Sequence, residues 1–71
     1  MCESNAYMKE SGGETLLMKD VSKMEPLPDG KWRLETILGD ELIVDGKIMV
    51  IDFEGHKILL EKGPSPAFGR D

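Results

Sequence analysis

Glycine-centred turn signals break this chain into segments the length of strands. Gly12-Gly13, Pro28-Asp29-Gly30, Gly39-Asp40, Asp45-Gly46 and Glu54-Gly55 are the breaks. What lies between them is short, and short runs bounded by Gly and Asp suit strands, not helices. Pro26 and Pro28 would interrupt any helix there. Residues 31–37 show the clearest alternation, with Trp32 and Leu34 on one face and Arg33 and Glu35 on the other. Period two with one apolar face is the mark of a half-buried strand. The pattern predicts strands near residues 2–9, 14–19, 31–37, 41–44, 47–53 and 57–62, with a short one near 21–24. Asp29-Gly30 and Asp45-Gly46 read as tight hairpin turns. The consecutive apolar residues Ile48, Met49, Val50 and Ile51 suit a strand covered on both faces, the second cover being a partner chain.

About six sequential strands joined by hairpins predict an all-β fold, a small twisted antiparallel barrel whose closure removes exposed edges. The barrel domain should occupy residues 1–62. Residues 63–71 hold two glycines, two prolines and little that is apolar, and read as a flexible tail outside the fold.

Length changes the picture first. Seventy-one residues is one domain, close to the smallest that sustains its own core, so a homodimer is expected to relieve marginal stability. Charge comes next. Nine basic against fourteen acidic residues leave a net charge of −5. That opposes a nucleic-acid partner, whose phosphates are bound by Lys and Arg, and an anionic membrane surface. No run approaches the roughly 20 apolar residues of a membrane span. No signal peptide is visible, and a single cysteine forms no internal disulfide, which together suggest a reducing cytoplasm.

Candidate chemistry is sparse. His56, the one histidine, falls in a turn without an orienting partner, and no acid–base pair or phosphate loop is recognisable; an enzyme is not expected. The methionines at 8, 18, 24 and 49 form no cluster and read as core residues. Trp32 reads the same way. Cys2 is different because of where it stands. With Met1 retained, the Met1 amine, the Cys2 amide nitrogen and the Cys2 thiolate can close two fused five-membered rings round a metal. With Met1 removed, the Cys2 amine and thiolate close one. Planar nitrogen and sulfur donors suit Ni(II) or Cu(II), and one cysteine per chain favours a site shared across a twofold axis. The metal candidates are therefore Cys2 and Met1. An incidental cysteine is the competing reading.

The residues also carry a family likeness. Met1-Cys2, the segment Glu14-Thr15-Leu16-Leu17-Met18-Lys19-Asp20-Val21, and the stretch with Leu38-Gly39-Asp40-Glu41, Gly46, Ile48, Ile51-Asp52-Phe53 and Ile58-Leu59-Leu60-Glu61 together resemble the small nickel-binding CooT proteins. The likeness covers about residues 1–62. It implies an SH3-like barrel, a homodimer and Ni(II) held through Cys2; with the site shared between chains, one Ni(II) per dimer is expected. The implied role is a nickel-binding accessory protein or metallochaperone for carbon monoxide dehydrogenase or another nickel enzyme. Two other readings stand beside it. One is an RNA-binding barrel using Lys31, Arg33, Lys47 and Lys57; the other is a protein-interaction barrel with Cys2 incidental.

Overall fold

The computed structural model describes residues 3–63. Met1, Cys2 and residues 64–71, which hold the two metal candidates and most of the expected tail, lie outside them. Six strands follow in order: β1 Ser4–Glu10, β2 Gly13–Leu27, β3 Lys31–Thr36, β4 Glu41–Asp45, β5 Lys47–Asp52 and β6 Lys57–Glu61. They form one sheet in the order β4-β3-β2-β1-β6-β5. The all-β reading stands.

The two strands expected at 14–19 and 21–24 are one. β2 is 15 residues long and serves two neighbours. Its first part pairs antiparallel with β1, from Gly13 opposite Glu10 to Val21 opposite Ser4. Its second part pairs with β3, from Val21 opposite Thr36 to Leu27 opposite Lys31. The changeover falls at Asp20, whose φ of 58° and the neighbouring register shifts bend the strand without ending it. The Asp20 amide donates to Asn5 Oδ1 at 3.1 Å, which ties the bend to β1. Pro28-Asp29-Gly30 turns β2 into β3 as expected, with φ of 73° at both Asp29 and Gly30.

Asp45-Gly46 makes no hairpin. β4 and β5 are the two edges of the sheet, yet only Gly46 separates them. The sheet therefore curls until its edges meet at that residue. A Cβ on Gly46 would lie 2.7 Å from the Glu61 carbonyl oxygen, so glycine is required here for close approach and not for a turn. Away from this corner the edges are unpaired, and the ring of strands stays open among the described residues. One pairing is parallel, β1 with β6; a purely sequential antiparallel meander does not occur.

Both arms of the curled sheet contribute to one core: Ala6 and Met8 from β1, Val21 from β2, Leu34 from β3, Val44 from β4, and Ile58 and Leu60 from β6. Trp32 packs against it, as the alternation anticipated, and so do Met18 and Met24. Within the single chain, the run at 48–51 is covered on one face only. Ile48 packs on the core, but Met49, Val50 and Ile51 are 42%, 47% and 45% exposed on an edge strand.

Candidate metal centre

Because β1 lies in the middle of the sheet, the chain enters the fold at a fixed point. Ser4 pairs with Val21 on one side and Asn5 with Lys57 on the other. The Asn5 amide donates to the His56 carbonyl at 2.9 Å, and the Asn5 side chain accepts from Asp20. Cys2 is two residues upstream of this anchored strand.

Ser4, the first residue of β1, and Glu3 before it line two different grooves. The Ser4 groove, about 210 Å³, is walled by Met24, Ile51 and Phe53, with Lys23 and His56 as its ionisable groups. The Glu3 groove, about 290 Å³, carries Ile37, Leu38, Lys19, Asp20 and Asp40. Both fall below the range of about 300–1,000 Å³ typical of small-molecule sites. The turns beside them are ordered. In one, the Gly39 amide donates to the Thr36 carbonyl at 3.0 Å and the Thr36 amide donates to the Asp40 carbonyl at 2.9 Å. In the other, the Gly55 amide donates to Asp52 Oδ1 at 2.9 Å. These turns hold Leu38 and Phe53 88% and 82% exposed, the two largest exposures among the bulky apolar residues described.

No three His, Cys, Asp or Glu side chains converge on a metal-sized position among the described residues. His56 is exposed, with a φ of 54°, and Met8, Met18 and Met24 belong to the core or pack against it. The structure thus leaves Cys2 and Met1 as the candidate ligands without describing them. Sequence reasoning missed the apolar tips Leu38 and Phe53. Their signal was present: a bulky apolar residue within two positions of a turn glycine, where polar residues are usual.

The four cations that an RNA surface would need are each beside a carboxylate. Lys31 lies 3.9 Å from Asp45, Arg33 2.9 Å from Glu25, Lys47 3.3 Å from Glu61 and Lys57 2.6 Å from Glu14. The hydrogen bond from Arg33, then the charge of Lys23, lower the Glu25 pKa. The hydrogen bond to Glu14 raises that of Lys57, whose ammonium also sits 5.2 Å from the centre of the Tyr7 ring. These are exposed pairs that neutralise one another, not a free basic stripe.

Comparison with known proteins agrees with this architecture. A crystal structure assigned as CooT from Carboxydothermus hydrogenoformans matches with a TM-score of 0.80 and 32% sequence identity, over 87% of this chain and 98% of that one. No curated protein matches the sequence. The model of the CO dehydrogenase accessory protein CooT matches residues 1–61. That match ends on Glu61, the last residue of β6, so it takes in every strand described above. The chain belongs to the CooT family of CO dehydrogenase accessory proteins.

Proposed function

We propose that this accessory protein binds nickel as cargo, one Ni(II) between two chains, through the thiolate of Cys2 in each. The backbone nitrogen of Cys2 in each chain, an amine where Met1 is removed and an amide where it is retained, completes the donor set, with the Met1 amine beside it as a further donor in the second case. The observation that carries this reading is the position of Cys2, two residues before a strand paired on both sides. A terminal chelate placed there is tethered to a rigid element yet remains at a chain end, which favours both capture and release. Two nitrogens and two sulfurs in a plane match the tetragonal preference of Ni(II). Zn(II) would ask for a tetrahedron. One chain has a single cysteine and no convergent cluster among its described side chains, so a second chain supplies what the first lacks.

The receiving partner is a nickel enzyme, carbon monoxide dehydrogenase in the first instance, and the setting is the cytoplasm. The RNA-binding alternative is disfavoured by the four neutralised cations and by the net charge of −5. Nickel titration followed by ultraviolet–visible absorption, on wild type and Cys2→Ala, is the test. Thiolate-to-nickel charge-transfer bands should saturate at half an equivalent per chain and be missing in the variant. Equal binding by both proteins would overturn the reading.

A further inference from the structure

The outer face of the sheet, away from the core, arranges its residues in rows that run across the strands. Tyr7 lies between the buried Ala6 and Met8, and Leu59 between the buried Ile58 and Leu60, so both point outward. Tyr7 is opposite Leu59, and Leu59 is opposite Val50. One row is therefore apolar from β1 through β6 to β5, with Leu59 half-buried and Val50 47% exposed. Lys9, Glu61 and Lys47 form the row on one side of it, and Asn5, Lys57 and Asp52 the row on the other. Lys57 reaches across Tyr7 to Glu14, with its ammonium 5.2 Å from the ring centre. That arm closes the Tyr7 side and leaves Leu59 and Val50 open. An apolar patch rimmed by polar and charged residues marks an interaction surface.

The chain itself leaves the fold beside this patch. β6 ends at Glu61, and the backbone bends at Lys62 and Gly63, where the Gly63 φ is 105°. Next to the bend, a groove of about 440 Å³ is lined by Lys9, Glu10, Ser11, Glu61 and Lys62. The sequence continues with Pro64-Ser65-Pro66-Ala67, which carry no charge, and then Phe68, Gly69, Arg70 and Asp71.

We infer that residues 64–71 turn back over β6 as a strap, and that Phe68 packs on Leu59 and Val50 of the same chain. Reach selects this patch. From Gly63 back to the level of Leu59 is four residues of strand, about 13 Å. Phe68 is five residues beyond Gly63, about 16 Å in the polyproline form that Pro64 and Pro66 favour. Leu38 and Phe53 are more exposed, but they lie past Lys57, where β6 starts. That is about 20 Å or more from Gly63, beyond what Phe68 spans. Charge points the same way. The uncharged Pro-Ser-Pro-Ala stretch crosses a row in which Lys47 already pairs with Glu61 at 3.3 Å. Arg70 and Asp71 then arrive at the row that holds Asp52 and Lys57, one charge of each sign meeting one of each. The two prolines restrict the segment before it docks, which lowers the entropy lost in ordering it.

Nuclear magnetic resonance on the full-length, nickel-free protein tests the strap. In wild type, the Phe68 ring protons should give cross-peaks to the methyl groups of Leu59 and Val50. Phe68→Ala should move the amide signals of Leu59 and Val50 and send those of residues 69–71 to random-coil positions. The ratio of docked to free strap should fall about tenfold or more, a factor that burial of one phenylalanine ring is enough to supply. Val50→Glu, at an exposed position, should release the strap in the same way without altering its sequence. Unmoved signals from Leu34 and Val44 verify the fold of both variants. Mixing isotope-labelled with unlabelled chains separates contacts within a chain from contacts between chains. The inference is overturned by wild-type signals of residues 67–71 at random-coil positions, by cross-peaks that arise only between labelled and unlabelled chains, or by a Val50→Glu protein whose strap signals stay where they were.

Discussion

Asp45 and Lys47 lie on opposite edges of one six-stranded sheet although a single residue separates them. Asp45 pairs with Lys31 on β3, and Lys47 pairs with Glu61 on β6. The curl of the whole molecule is therefore fixed at Gly46, whose missing side chain lets the backbone pass the Glu61 carbonyl. A Cβ 2.7 Å from a backbone oxygen cannot be relieved by a rotamer change. Gly46→Ala should lose about 1–3 kcal/mol in urea unfolding, the usual cost of overpacking. Gly12→Ala, where an added Cβ meets nothing within 4 Å, should stay within about 0.5 kcal/mol of wild type.

The core is small enough for single truncations to matter. Leu34 and Leu60 are completely buried, each at 0% exposure, and they come from opposite arms of the curled sheet. Leucine-to-alanine at such sites costs about 2–5 kcal/mol. A domain of this size has a total stability near the bottom of the usual range of about 5–15 kcal/mol. Leu60→Ala should therefore be largely unfolded at 37 °C by circular dichroism, whereas Leu38→Ala should melt within a few degrees of wild type.

The contrast between those leucines shows what the chain reveals locally and what it does not. Alternation placed Leu34 inside and Arg33 and Glu35 outside, because each decision depends only on neighbours two residues away. Gly46 was recognisable as a breaker, but its reason is a contact with Glu61, fifteen positions on. Asp20 looked like the end of a strand because a polar residue there usually stops one; its left-handed φ instead turns β2 from one partner to the next. The parallel pairing of β1 with β6 joins the two ends of the barrel sequence, and no local pattern encodes it. Cys2 drew notice in the sequence as the single cysteine, and it lies outside the described residues; the apolar tips Leu38 and Phe53 became visible only once the turns that carry them were folded.

Acid should act on the Glu25–Arg33 pair. The Arg33 hydrogen bond, helped by Lys23, holds the Glu25 carboxyl below its ordinary 4.5. A depressed folded-state pKa gives stability that is complete above the unfolded value and disappears as pH falls through the folded one. Wild type should thus unfold at a higher urea concentration than Glu25→Gln at pH 7, and the gap should close as the pH is taken well below 4.5. Both groups are only half-buried, so the gap should also shrink in high salt. A gap that persists unchanged in acid would mean that packing, not ionisation, makes the difference.

Nickel should compete with protons at Cys2. A thiol has an ordinary pKa near 8.5, so at neutral pH each Cys2 gives up a proton as its sulfur takes the metal. A site with two such thiols releases at least two protons per nickel, before any from amine or amide nitrogen. Below the thiol pKa the two thiols alone should lower its affinity about a hundredfold for each unit of pH lost, since each proton contributes a factor of ten. A terminal chelate using one thiol would show a factor of ten from that source. Direct counting separates the two: nickel is titrated into weakly buffered, full-length protein while a pH indicator reports the protons set free. Cys2→Ser should release at least two fewer per nickel added. Release of a single thiol proton, with saturation at one nickel per chain, would place the metal on one terminus alone and remove the second chain from the site.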